Sequence, residues 1–107
     1  MTAYSINGQQ YREAWEREVW YALKEGDALK LERDPANGYD PNAIKVLVPA
    51  GTIIGNKPLE RDAHVGFIPK RENTDLARWM DQGGKAEWVY QRPNRCIAKA
   101  KAAALSA

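Results

Sequence analysis

Glu32-Arg-Asp-Pro-Ala-Asn-Gly-Tyr-Asp-Pro-Asn-Ala-Ile-Lys-Val46 is the stretch that decides the fold. Just upstream and into it, Leu29, Leu31 and Arg33 alternate with Lys30 and Glu32, the period of a half-buried strand. Downstream, Ile44, Val46 and Val48 alternate in the same way and stop at Pro49. Seven turn-forming residues separate the two runs. Gly, Pro, Asn and Asp serve turns because they accept unusual backbone angles, and a connection of that kind seldom needs an aromatic. This one carries Tyr39, the carboxylate Asp40 and the carboxamides Asn37 and Asn42. A stacking surface, an acceptor and amide groups held between two strands make a loop suited to holding a ligand.

Working outward, residues 4–7 read as a short first strand. Trp15, Val19, Ala22 and Leu23 mark one face of a helix that stops near Gly26. Trp20 falls off that face and is expected at the surface, whereas Trp15, Trp79 and Trp88 are expected in packing. Residues 49–62 form a loose hairpin or excursion, and His64-Val-Gly-Phe-Ile-Pro-Lys70 a short strand closed by proline. Asn73 or Thr74 caps a second helix containing Leu76, Ala77 and Met80, which ends at Gly83-Gly84. Residues 85–91 and 94–102 read as strands around the turn Arg92-Pro-Asn94. In the second of them Cys96, Ala98 and Ala100 face one way, and Arg95, Lys99 and Lys101 the other. The stretch 102–107 is expected to fray. Five to seven short strands and two helices give a mainly β, α+β fold, with a small curved sheet closing into a partial barrel that hides its edges.

The 107 residues fit one domain, 1–107, and exclude a two-lobed enzyme. Hydrophobic residues make up 44% and charged residues 28%, a globular balance, and no apolar run approaches the roughly 20 residues that cross a bilayer. No membrane partner is expected. The first residues lack the basic and apolar parts of a secretion signal. One cysteine, Cys96, and one histidine, His64, exclude a disulfide within the chain and a Cys/His zinc site, so no metal or other cofactor is expected. The expected setting is reducing and cytoplasmic. Net charge is only +2, but from Lys85 to Lys101 five bases face the single acid Glu87, and Lys70-Arg71 forms a second basic group. Two readings stand: a solvated face, or a stripe for phosphates.

Leu29-Lys-Leu-Glu-Arg-Asp-Pro35, Asn37, Tyr39-Asp-Pro-Asn-Ala-Ile-Lys-Val46, Val65-Gly-Phe-Ile-Pro69 and Leu76 to Gly83 together resemble a HIRAN domain, over residues 5–100. That module stands at the front of helicase-like transcription factor and related fork-remodelling ATPases, and occurs alone or in other combinations in bacteria and phages. The resemblance implies an OB-like β-barrel with two helices. It also implies binding of single-stranded DNA with a pocket for a free 3′ end, in repair, replication or recombination. The chain has no phosphate-binding Gly-x-x-x-x-Gly-Lys-Ser/Thr loop, so no ATPase belongs to it.

By the same resemblance Tyr39 and Tyr11 offer ring faces to terminal bases, and Asp40 accepts a hydrogen bond from the 3′-hydroxyl. Asn37 faces the nucleotide and Lys70 contacts phosphate. Charge clustering and strand alternation, apart from the resemblance, add Arg95, Lys99 and Lys101 as a basic surface. A carboxylate accepts from a hydroxyl and repels a phosphate, so it can tell a free end from a continuing strand. Beside these roles stand plainer ones. Tyr39 can pack under its own loop, Asp40 can form an Asx-turn with Asn42, and Asn37 can be a left-handed turn residue. Arg33 can pair with Asp34 or Asp40, or face phosphate. Three positions depart from the family pattern: Gly38 for a proline, Gln10 for an arginine and Phe67 for a histidine. They loosen the loop, remove a phosphate contact and exchange a polar contact for a stacking one. Two other functions compete with DNA binding. One is an adaptor of the same fold that recruits a helicase, nuclease or other DNA-processing partner through a sheet edge or Trp20. The other is a small nuclease using Asp34 and Asp40, which lacks a third acidic or histidine ligand nearby in sequence.

Overall fold

The computed structural model describes residues 2–99. Lys101 and the expected frayed stretch 102–107 lie outside them. Six strands form an antiparallel sheet: β1 (Ala3–Ser5), β2 (Ala28–Arg33), β3 (Ile44–Val48), β6 (Ala63–Phe67), β7 (Trp88–Gln91) and β8 (Arg95–Ala98), in the order β1-β8-β7-β2-β3-β6. The two-residue strands β4 (Ile53–Ile54) and β5 (Lys57–Pro58) form the hairpin expected within 49–62.

The sheet curls because one chain segment serves both of its edges. Ala3 to Ser5 pair with β8; two residues later Asn7 bridges to Phe67 of β6, with reciprocal backbone bonds of 2.9 and 2.8 Å. The outer strands are thereby joined and the sheet becomes a small barrel of the OB-like kind. Gly66 lets the two backbones meet, since a Cβ there would come within 2.6 Å of the Asn7 carbonyl oxygen. Inward positions of the alternating strands fill the barrel: Leu29, Ile44, Val46, Val48, Val65, Trp88 and Cys96 are buried.

Helix α1 (Ala14–Ala22) lies against β6, and Val19 and Leu23 enter the core. Glu16, on its buried side, accepts hydrogen bonds from Arg12 (2.9 Å) and from the His64 backbone N–H (2.8 Å), so helix and strand are tied by a carboxylate. Trp20 departs from expectation: it packs edge-on against Tyr90 with ring centres 5.4 Å apart. Helix α2 spans Lys70–Asp81 and puts Asn73, Leu76 and Ala77 on its buried face. Its start also differs from expectation. Pro69 is the N-cap, and neither Asn73 nor Thr74 caps anything, because Asn73 is fully buried and spends its amide on another part of the chain. No helix of the described residues is long and apolar enough to cross a membrane.

Candidate nucleic-acid interface

The loop between β2 and β3 is held by its own side chains. Asn37 Oδ1 accepts the backbone N–H groups of Tyr39 (2.9 Å) and Asp40 (3.1 Å), while its amide donates to Asp34 Oδ2 (3.2 Å). The backbone N–H of Asp34 donates to the Ala43 carbonyl and that of Ala43 to the Asp40 carbonyl. Asn37 does not have a positive φ, so it shapes the loop by accepting hydrogen bonds and not by left-handed geometry. Asp40 forms the Asx-turn: its Oδ1 accepts the Asn42 N–H at 2.9 Å. Its Oδ2 accepts from the Asn73 amide of α2 at 2.7 Å.

Arg33 pairs with neither Asp34 nor Asp40. Its guanidinium donates to the carbonyls of Ala43 (2.6 Å) and Pro41 (2.9 Å) and forms a two-point pair with Asp81 at the end of α2 (2.9 and 3.3 Å). Helix α2 thus grips the loop twice, through Asn73 and through Asp81.

The order imposed on the loop leaves one ring outside: Tyr39 is 95% exposed. It stands at the edge of a pocket of about 250 Å³, walled by Asn37, Asp40, Phe67, Pro69 and Lys70. Asp40 is ionised more readily than usual. Burial works against this, but the hydrogen bonds from Asn73 and Asn42 and the charges of Lys70 and Arg33 outweigh burial and lower its pKa. Ala43, Phe67, Ile68 and Pro69 make much of its lining apolar, with the Asp40 carboxylate and the Lys70 cation beside them, an arrangement that suits a flat ring with a polar edge.

Gln10 and Tyr11 do not line the pocket but follow a segment that passes Phe67. The Asn7–Phe67 bridge is followed by Gly8 (φ +91°), where a Cβ would stand 4.0 Å from the Phe67 ring, and then by the tight turn Gln9–Tyr11. Tyr11 is 82% exposed. Phe67 is half-buried, its ring edge-on to His64 at 4.7 Å.

The cationic strip is divided. Arg95 is exposed, donates to the Ala3 carbonyl (3.2 Å) and acts on the first turn of α2. There burial opposes ionisation of Glu72, but its bonds from Ser5 and the charges of Arg71 and Arg95 prevail and lower its pKa. Lys99 sits elsewhere, 3.7 Å from Glu87, beside a larger depression walled by Trp79, Met80 and Trp88. The structure therefore brings Asn37, Tyr39, Asp40, Phe67 and Lys70 together, leaves Gln10 and Tyr11 outside that lining, and puts Lys99 at a different depression.

One residue was missed. Lys45 pairs across the sheet with Phe67, so both side chains leave the same outer face while Ile44 and Val46 point inward. Glu32 of β2 stands opposite it in register, but no ion pair forms on Lys45 among the described residues. The strand alternation that placed Ile44 and Val46 inward already carried that signal. Among the described residues no three His, Cys, Asp or Glu side chains gather as metal ligands.

Comparison with known proteins gives a consistent result. The HIRAN domain family model matches residues 1–100. A crystal structure of a protein from Lactobacillus plantarum is similar with a TM-score of 0.63 and 27% identity, over 83% of this chain and 75% of that one. The crystal structure of the HIRAN domain of human HLTF is similar with a TM-score of 0.59 and 21% identity, over 98% of this chain and 81% of that one. No curated protein gives a significant sequence match.

Proposed function

The chain belongs to the HIRAN domain family, and from that premise we propose that it is a non-enzymatic module that binds single-stranded DNA with a free 3′ end seated in the Tyr39 pocket. The observation that carries this reading is the exposed ring of Tyr39 on a loop otherwise tied down by hydrogen bonds. An aromatic meant to pack under its own loop would be covered; this one is 95% exposed. A ring held in that way presents a face on which any base can stack, worth about 1–3 kcal/mol per base. Lys70 and Lys45 supply positive charge for the phosphates behind that base, and ionised Asp40 supplies the acceptor for a terminal hydroxyl. Few of these contacts read base identity, so affinity comes from stacking and phosphate neutralisation with little sequence preference. Such a module would serve repair, replication or recombination by delivering ends to a helicase or nuclease.

Fluorescence anisotropy with a labelled single-stranded oligonucleotide tests this. Binding should weaken steeply with salt, and Tyr39→Ala should weaken it without lowering Tm. A 3′-hydroxyl should bind more tightly than a 3′-phosphate. Equal affinity for the two ends removes Asp40 from end recognition, and absence of binding at low salt favours the adaptor reading.

A further inference from the structure

Asn73 occupies a place where folding alone would select an apolar side chain. It lies on the buried face of α2 with Leu76 and Ala77 and is 0% exposed. Its amide nitrogen donates to Asp40 Oδ2 at 2.7 Å, a contact 33 residues away in sequence. Its Oδ1 is buried and has no hydrogen-bond partner. A buried acceptor left unpaired destabilises a fold, and an alanine or leucine at this position would avoid that penalty. The one return visible for it is the grip on Asp40.

We propose that Asn73 is the positioning residue of the end-binding pocket: it fixes the Asp40 carboxylate from below so that its remaining acceptor capacity faces a terminal hydroxyl. This rests on the reading of the pocket as a 3′-end site. An ionised carboxylate has about four lone-pair sites. The Asn42 N–H takes one on Oδ1 and Asn73 takes one on Oδ2, so both oxygens are fixed in direction and each keeps a site. The Asx-turn alone would hold one oxygen and leave the other free to swing. Because Asn73 is set in a packed helix, the anchor does not move with the loop. Its N–H also favours the ionised form, the one that accepts from a hydroxyl and repels a terminal phosphate.

The test uses two variants and two oligonucleotides, one ending in a 3′-hydroxyl and one in a 3′-phosphate. Wild type must prefer the hydroxyl; if it does not, the end-site reading fails before Asn73 is at issue. Given that preference, Asn73→Ala is expected to reduce it to about parity while Tyr39-dependent binding persists. An unchanged preference overturns the proposal. Asn73→Asp provides the readout that a packing role would not move, and it decides the matter if the alanine variant unfolds. Two facing carboxylates repel at neutral pH, so the preference should be lost at about pH 7.5. Acid that protonates one of the pair restores an O–H donor, so the preference should return toward about pH 5. The other charged groups facing Asp40 are Lys70 on α2 and Arg33 on β2. The 3′-phosphate itself takes up a proton at about pH 6, so each profile is read against that of wild type. A flat profile for Asn73→Asp, or a preference intact at neutral pH, overturns the proposal.

Discussion

Replacing Arg33 by lysine keeps the charge and removes the fork, which isolates the loop clamp. The guanidinium reaches two loop carbonyls and both oxygens of Asp81, and its side chain is only 14% exposed. An ammonium can satisfy one of those directions. A hydrogen bond from a charged donor contributes about 1.5–3 kcal/mol, and losing one carbonyl bond sets the main term. The Asp81 pair adds less than about 1 kcal/mol, because Asp81 is 56% exposed and screened by water. Arg33→Lys should therefore destabilise by about 2–3 kcal/mol, roughly a 10 °C fall in Tm for a chain of this size. Asp81→Asn leaves both carbonyl bonds in place and should cost under about 1 kcal/mol. With the fork gone the loop keeps its internal hydrogen bonds but is tied to α2 chiefly through Asn73, and the affinity for a single strand should fall about tenfold, equivalent to about 1.4 kcal/mol. Thermal melts by circular dichroism and anisotropy titrations read both quantities. If Asp81→Asn proves more damaging than Arg33→Lys, or if Arg33→Lys leaves Tm and Kd unchanged, the loop is not held by the two carbonyl bonds.

Three further outcomes follow from the same geometry. A Cβ at Gly38 meets nothing within 4 Å and its φ is not left-handed, so Gly38→Ala should stabilise by about 0.4–1 kcal/mol by restricting the unfolded chain, seen as a small rise in Tm. Lys45→Ala should weaken binding equally for all sequences and reduce the slope of log K against log salt by about one, whereas an unchanged slope removes Lys45 from the interface. Asp40 has a folded pKa below its ordinary 3.8, so its ionised form lends stability that is fully present above that value and is lost as acid carries the pH through the folded value. The Tm difference between wild type and Asp40→Asn should accordingly be constant at neutral pH and shrink below about pH 3.8.

The strands were legible because their evidence is local. Leu29 and Leu31, Ile44 and Val46, and Cys96 against Arg95 each declare a face by alternation, and the loop declares itself by composition. Residue types alone place an aromatic and a carboxylate in the loop, but not the exposure of Tyr39, for which packing under its own loop stands as the alternative. Contacts that join distant segments were not legible. Arg33 and Asp81 are 48 residues apart, Asp40 and Asn73 33 apart, and nothing local distinguishes those partners from nearer acids and amides. The error at the start of α2 has the same origin. Asn is a good N-cap, so propensity favours Asn73 there, but its side chain has a tertiary partner and the N-cap is Pro69, four residues earlier. Glu16 is a further case: a charge on the buried face of α1 contradicts the binary pattern until Arg12 and His64 are seen to satisfy it. The basic run in β8 shows the reverse limit, since alternation gives the face of Lys99 but not its distance from Tyr39.

The first turn of α2 carries an arrangement that helix physics opposes. Lys70 and Arg71 open the helix, where the positive end of its macrodipole disfavours cations by about 0.3–1 kcal/mol each, and in that turn only Glu72 is acidic. On the buried side of the same turn Asn73 has its unpaired Oδ1, and the uncovered ring of Tyr39 lines the same pocket as Lys70. Departures occur elsewhere too, for Trp15 Nε1 is buried without a partner, Ile53 is exposed and Asn56 has a positive φ, but here several adjoin one loop. A cluster of that kind is expected where binding competes with folding. Lys70→Gln separates the two demands. Removing the cation relieves the dipole and forgoes a weak attraction to Asp40, so Tm should stay the same or rise slightly. Binding should weaken and lose about one unit of salt slope, because a phosphate contact is gone. A clear fall in Tm would show that Lys70 is placed there for the fold, and an unchanged Kd would show that the positive wall of the pocket does not face the strand.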